Sequence, residues 1–191
     1  MREKIHLEGK LITMEEIEPK FFPCVVEWRN DPTLNRFLNQ NFILTMEKEQ
    51  SWYENIYLPD DTQGFLIGID RESKKPFGTL GWTDLNLSTR RCILGRLVVA
   101  EMNEYPMQAF EMEFLLGEYL YQFTDEHFCH VVKENRRAIK FDKFTGFVEN
   151  DGEIQYPEET RINGMELIEF KRSRDQFETA RENFYKVVKE E

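Results

Sequence analysis

The stretch Val131–Phe147, VVKENRRAIKFDKFTGF, decides how the chain is read. Val131 and Val132 form an apolar lead-in, as at the end of a buried strand. Asn135 follows, and its side-chain oxygen suits a helix cap that accepts from backbone N–H groups one turn on. From Arg136 onward, Ala138, Ile139 and Phe141 make the apolar side of a helix, and Phe144 extends it. Gly146 can end that helix by taking positive φ, and Phe147 opens the next strand. Strand, capped helix and strand point to an α/β fold.

Working outward, Glu126–Lys133 is the strand that leads into this stretch, and Pro106 starts a long helix, Met107–Phe123. Three strands precede it: Phe65–Ile69, Phe77–Leu87 and Cys92–Val99. The last is almost continuously apolar, which predicts a central position. Nearer the N-terminus, Ile5–Met14 alternates weakly and reads as one strand. Thr13 with Glu16 reads as a capping box. Pro19 and Pro23 make the following helix irregular until Pro23 is passed. Leu34–Leu38 suggests a second short helix, and Thr45 caps a third that carries Trp52, Tyr53, Ile56 and Tyr57. Beyond the central stretch, Ile162–Lys171 reads as a last strand. Ser173 with Gln176 forms a second capping box, opening a C-terminal helix with Phe177, Ala180, Phe184 and Val187 at helical spacing. The order β-α-α-α-β-β-β-α-β-α-β-β-α predicts an α/β (α+β) fold in one domain, residues 1–191. Its mixed central sheet has about seven strands flanked by helices, with an extra C-terminal helix.

Composition limits the partners. The net charge is −11, and an acidic chain repels phosphate backbones, so nucleic acid is not an expected partner. Hydrophobic content of 40% with 16 phenylalanines fits a packed core. No apolar run is long enough to span a bilayer, so no membrane partner is expected. The start, Met1-Arg2-Glu3-Lys4, leads into a polar segment without a signal-peptide core, so the expected location is cytoplasmic. Cys24, Cys92 and Cys129 are odd in number and widely spaced; they read as free thiols, with no metal site.

Asn135-Arg136-Arg137-Ala138-Ile139 followed by Gly146-Phe147 resembles a conserved segment of the Gcn5-related N-acetyltransferase (GNAT) superfamily, V-x-x-x-N-x-x-A-I-x-x-Y-x-x-x-G-F. Every fixed position matches except the tyrosine, where Asp142 stands. Glu27-Trp28-Arg29-Asn30-Asp31-Pro32, Phe65–Ile69, Gly78–Gly81 and Asp84–Leu87 resemble the branch that contains ribosomal-protein N-terminal and nucleotide-amino-sugar acetyltransferases. The resemblance covers roughly Leu11–Lys171. It implies acetyl-CoA as acyl donor and direct attack by a primary amine. The acceptor would be a small molecule, an amino sugar (free or nucleotide-linked) before a protein N-terminus. A catalytically degenerate binding or regulatory protein is the alternative. The superfamily also includes homodimers.

The resemblance assigns residues as well. The cofactor arm lies where the central strand splays from the next one; Gly95 would mark the irregularity and Leu97, Val98 and Val99 the pairing residues. Asn135 and Arg137 fall within the cofactor-binding segment. The cofactor pyrophosphate should meet backbone N–H groups at the start of the long helix, at Met107, Gln108, Ala109 and Phe110. The family's glycines are missing there: Met107, Ala109 and Glu111 stand instead. Side chains are therefore expected to line the approach, and Glu111 either repels phosphate or points away and favours the helix dipole. The family glutamate before the central-strand glycine is Ile93. Asp142 would need a raised pKa to act as an acid; otherwise it is a solvated residue beside Lys140 and Lys143. Asp84, Glu101 and His130 are the substitute base candidates. Trp28, Arg29, Trp52 and Trp82 fall in segments that line the acceptor cleft in similar proteins, where aromatics can stack a ring and arginine can hold a phosphate; the alternative is core tryptophans and an Arg29–Asp31 contact.

Overall fold

The computed structural model describes residues 4–101, 104–157, 161–162 and 164–188. Its strands are β1 (His6–Glu8), β2 (Ile12–Glu16), β3 (Gly64–Asp70), β4 (Pro76–Asn86), β5 (Arg91–Val99), β6 (Glu126–Val132), β7 (Val148–Glu149), β8 (Arg161–Ile162) and β9 (Met165–Ser173). Its helices are α1 (Phe22–Asn30), α2 (Met46–Trp52), α3 (Pro106–Leu120), α4 (Arg136–Phe144) and α5 (Arg174–Val188). The sheet order is β1-β2-β3-β4-β5-β6-β9-β7, with β8 forming a hairpin on β9. Every pairing is antiparallel except that of β5 with β6, so the sheet is mixed. No helix among the described residues is long and apolar enough to cross a membrane.

Register sorts the side chains onto two faces, because paired residues in a ladder point the same way. Leu66, Leu80, Trp82, Leu94, Cys129 and Val131 share a core with Ala109, Met112 and Leu116 of α3 and Phe141 of α4. Phe65 and Ile67 face the other way, into a core with Phe22 and Val25 of α1. The cap on α4 forms as read: the Ala138 N–H donates to Asn135 Oδ1 at 3.1 Å. Gly146 ends the helix at φ +95°, and a Cβ there would lie 2.7 Å from the Gln176 carbonyl oxygen. The Ser173–Gln176 box also forms, with the Ser173 N–H donating to Gln176 Oε1 at 2.8 Å and the Gln176 N–H to Ser173 Oγ at 3.4 Å.

Three expectations are corrected. Residues 5–14 are not one strand but the β1–β2 hairpin. The Thr13–Glu16 signature lies inside β2, where Ile12, Met14 and Glu16 alternate into the interior; burial at a period of two outweighs the local capping pattern. Helical structure begins only at Pro19, as a short 3₁₀ turn before α1. The last strand is split: β8 turns back through Gly164 at φ +79°, and β9 then runs on to Ser173.

Glu111 explains the hairpin. Its side chain is fully buried and points away from the start of α3. It accepts the backbone N–H groups of Lys10 at 2.9 Å, Leu11 at 2.7 Å and Ile12 at 3.0 Å, and the Tyr185 hydroxyl of α5 at 3.2 Å. Gly9 allows the approach, since a Cβ there would sit 2.6 Å from the carboxyl group. Replacing Glu111 with Ala leaves those buried donors unpaired, at about 1–3 kcal/mol for each unsatisfied group. Urea denaturation of Glu111→Ala is expected to show a loss of about 3 kcal/mol or more. The Glu111→Gln variant keeps one acceptor oxygen and should lose less. Unchanged stability for Glu111→Ala would contradict this assignment.

Candidate active site

β5 and β6 pair only at Arg91–Glu126, Cys92–His127 and Ile93–Phe128, and then part. On its other side β5 bulges against β4: Thr79 pairs with Val98 but Gly81 with Gly95, which leaves one extra residue in β5. The left-handed residue is Arg96, at φ 61°, one position after the glycine expected to mark the irregularity. The parted strands open a cleft of about 1170 Å³ that is lined from both faces of the sheet.

Several expected residues meet there. Arg29, Trp52, Trp82, Leu97, Val98, His130, Asn135 and Asp142 all line the cleft. Others do not. Trp28 is buried, Arg137 is exposed, and Val99 belongs to the core under α3. Asp84 is exposed at a second bulge and lines a separate hollow of about 430 Å³ with Asn86, Arg91 and Tyr156. Glu101 is exposed in the turn after β5.

The first turn of α3 also differs from expectation. Ala109 is core. Met107 and Phe110 pack towards α5 with Phe114 and Phe184, since residues three and four apart share a helix face. Phe110 also stacks on Phe141 of α4 at 4.8 Å. Gln108 donates to Asp70 Oδ1 at 3.2 Å. With Glu111 turned inward as well, none of these side chains lines the cleft. The first turn carries no acidic residue, and no side chain caps it.

On the α3–α4 face, Asp142 lies at the cleft with Cys129 and Glu113. Burial is the largest cause that raises its carboxyl pKa, to about 8; the Glu113 charge adds to this and Arg172 opposes it. Asp142 is therefore a carboxylic acid in neutral solution rather than a solvated carboxylate. Glu113 is itself buried and pairs with the fully buried Arg172 at 2.9 Å. Arg172 also lies 3.2 Å from His127 Nδ1 and donates to the Thr145 carbonyl at 2.8 Å. Burial, then Arg172, holds the His127 pKa well below its usual value, so the ring is neutral. Its Nδ1 then accepts from Arg172, and its Nε2–H donates to Thr124 Oγ1 at 2.8 Å.

On the opposite face, His130 pairs in register with Glu169 and bonds it, Nε2 to Oε2 at 3.1 Å. Glu169 also accepts from Asn150 Nδ2 at 2.6 Å and from the Gln155 and Tyr156 N–H groups at 3.0 and 3.1 Å. Burial raises its pKa, but these hydrogen bonds outweigh it and leave the carboxyl low. On the same face, Glu49 is 1% exposed and lines the cleft beside Arg29, Trp52 and Arg96. Glu49, Arg96 and Glu169 were not apparent as site residues from sequence. The spacing of Glu49 three residues before Trp52, on one helix face, was the available signal for the first; no local pattern marks the other two.

No family model matches the sequence, and no curated protein matches it significantly. Solved structures do. The spermidine N-acetyltransferase from Vibrio cholerae, in complex with CoA and spermine, superposes with a TM-score of 0.74 at 16% identity, covering 88% of this chain and 99% of that one. A GCN5-related N-acetyltransferase from Brucella melitensis gives 0.78 at 14%, covering 96% and 85%. Apo FdhC, a nucleotide-linked sugar GNAT, gives 0.76 at 14%, covering 96% and 98%. The chain has the GNAT fold.

The residues present fit the arm of an acyl-CoA. A Cβ added at Gly95 would meet nothing within 4 Å, and residues Leu94–Val98 line the gap where pairing with β6 has stopped. The phosphate end of such a ligand would depend on backbone N–H groups at the start of α3, the helix end that favours anions. No glycine of the GNAT loop and no cation stands in that first turn. Nearby, a hydrogen bond shared with Glu101 raises the Glu104 carboxyl.

The state of Asp142 has a consequence for stability. Its folded pKa of about 8 lies above an unfolded value of about 3.9, so the native state loses stability as pH rises between them. The amide of an Asp142→Asn variant cannot ionise. Thermal unfolding of this variant should therefore show a Tm advantage over the wild type that grows from pH 5 to pH 8.5. A constant difference across that range would contradict the buried-acid assignment.

Proposed function

We propose that the protein is an acyl-CoA-dependent N-acyltransferase that moves an acetyl group to the primary amine of a small molecule, an amino sugar in the first instance. The carrying observation is the cleft between parted strands, with Asp142 on one face and the His130–Glu169 pair on the other. Aminolysis of a thioester needs a base beside the amine and an acid beside the departing sulfur. The two faces of the sheet supply them separately.

Bound acyl-CoA supplies the activated acyl group. The chain's own residues do the rest. Glu169 accepts the Nε2–H of His130 and so fixes the tautomer with Nδ1 as the basic nitrogen. That nitrogen takes the amine proton. Asp142, neutral below about pH 8, holds a proton on its carboxyl for the thiolate. Trp52 offers a ring face to a sugar on the His130 side of the sheet. A protein N-terminus is the second reading; Leu34, Phe37, Leu38 and the exposed Phe42 also line the cleft. One observation favours a binding protein without catalysis: Glu101 and Glu104 lie near the phosphate end.

Thiol release from acetyl-CoA with a panel of amino sugars tests the proposal. The rate should fall above about pH 8 as Asp142 ionises. Asp142→Asn should lower kcat about a hundredfold, in the range for loss of a general acid, while acetyl-CoA binding by calorimetry persists. Intact binding with no transfer to any amine would favour the binding protein instead. Full activity of Asp142→Asn would remove Asp142 from the chemistry.

A further inference from the structure

The acceptor end of the cleft carries an unbalanced set of charges. Glu49 is 1% exposed, lines the cleft, and has an Oε1 atom without a hydrogen-bond partner among the described residues. A buried carboxylate oxygen without a partner is costly, and Glu49 lines the cleft, where a ligand donor can meet its carboxylate. Burial raises the Glu49 pKa, and the Arg29 and Arg96 charges oppose that rise. Arg96 is fixed: it donates to Gln63 and to the Gly64 carbonyl, and its guanidinium lies 5.4 Å from the Trp52 ring centroid and 5.5 Å from that of Phe65. The left-handed bulge residue thus places a cation beside Glu49. Arg29 also lines the cleft, half-buried, and forms no hydrogen bond or ion pair with its guanidinium among the described residues. Lys48 adds a charge at the rim. In a chain of net charge −11, Arg29, Lys48 and Arg96 line the cleft with Glu49, and the Asp60 charge also acts on Arg96.

We infer that Glu49 and Arg29 form an acceptor-reading pair, selecting an amine that also carries an anionic group. The Glu49 carboxylate accepts from a hydroxyl or ammonium of the acceptor, and Arg29 holds its carboxylate or phosphate. Arg96 keeps the local charge positive, which disfavours polycations such as polyamines. The inference rests on the N-acyltransferase reading for its choice of an amine ligand, but its test does not need turnover.

Calorimetric titration of the full chain with glucosamine, glucosamine 6-phosphate, glucosaminic acid and spermidine reads it directly. The phosphate or the carboxylate sugar should bind at least about tenfold more tightly than glucosamine, a bidentate arginine contact being a strong one; which of the two binds better identifies the anion. Spermidine should not bind. Arg29→Gln should bring the anionic and neutral sugars to equal affinity. Glu49→Gln should weaken all the sugars, with an unchanged circular-dichroism spectrum. Equal binding of glucosamine and the anionic sugars, tighter binding of spermidine, or no binding by any probe would overturn the inference. Anion-selective binding without acyl transfer would instead overturn the enzymatic reading and leave this one standing.

Discussion

The fully buried guanidinium of Arg172 is the interaction on which the rest of the structure depends. It reaches from β9 to Glu113 of α3, to His127 of β6 and to the carbonyl of Thr145 just after α4. Its ring neighbours are Phe147 and Phe177, at 4.1 and 4.9 Å from their centroids. Four elements therefore meet at one charge. A buried ion pair adds little net stability, but removing one partner strands the other, at about 3–5 kcal/mol. Arg172 thus makes a buried Glu113 tolerable, and Glu113 in turn helps keep Asp142 protonated. Stability and proposed chemistry are linked through this group.

The parallel join of β5 and β6 is the second constraint. Among the described residues it is the one parallel pair in the sheet, and it holds for three residue pairs. The bulge at Arg96 bends β5 away while pairing to β4 continues. One backbone irregularity therefore does two things: it opens the gap and turns a guanidinium into the acceptor end. Alternation along β6 then divides the lining, with Cys129 and Val131 on the α3–α4 side and His130 on the other. His130 therefore faces away from the side of the sheet that α4 covers with Asp142.

Much of the fold was legible in the sequence. The cap at Asn135, the glycine exit at Gly146, the Ser173–Gln176 box and the proline entry to α3 are local signals, and each forms. The β1–β2 hairpin was not legible, because what pins it is Glu111, about a hundred residues away. Glu111 illustrates the limit for the site as well. A carboxylate in a helix start reads as a charge beside a phosphate; only tertiary packing shows that it faces inward. The same holds for Asp142. Its neighbours in sequence, Lys140 and Lys143, suggest solvent, while burial first, and then the Glu113 charge, hold it protonated. For Trp28, cleft and core were both open, because spacing alone does not assign a helix face; it is buried.

The central claim is that the gap between β5 and β6, with the start of α3, is an acyl-CoA site despite the missing glycines. The most direct measurement is backbone amide NMR of the isotope-labelled protein titrated with CoA. The account predicts saturable shifts concentrated at Leu94–Val98, Asn135 and the Met107–Gln108 amides. No shifts at millimolar CoA, or shifts confined to residues outside the cleft, would contradict it.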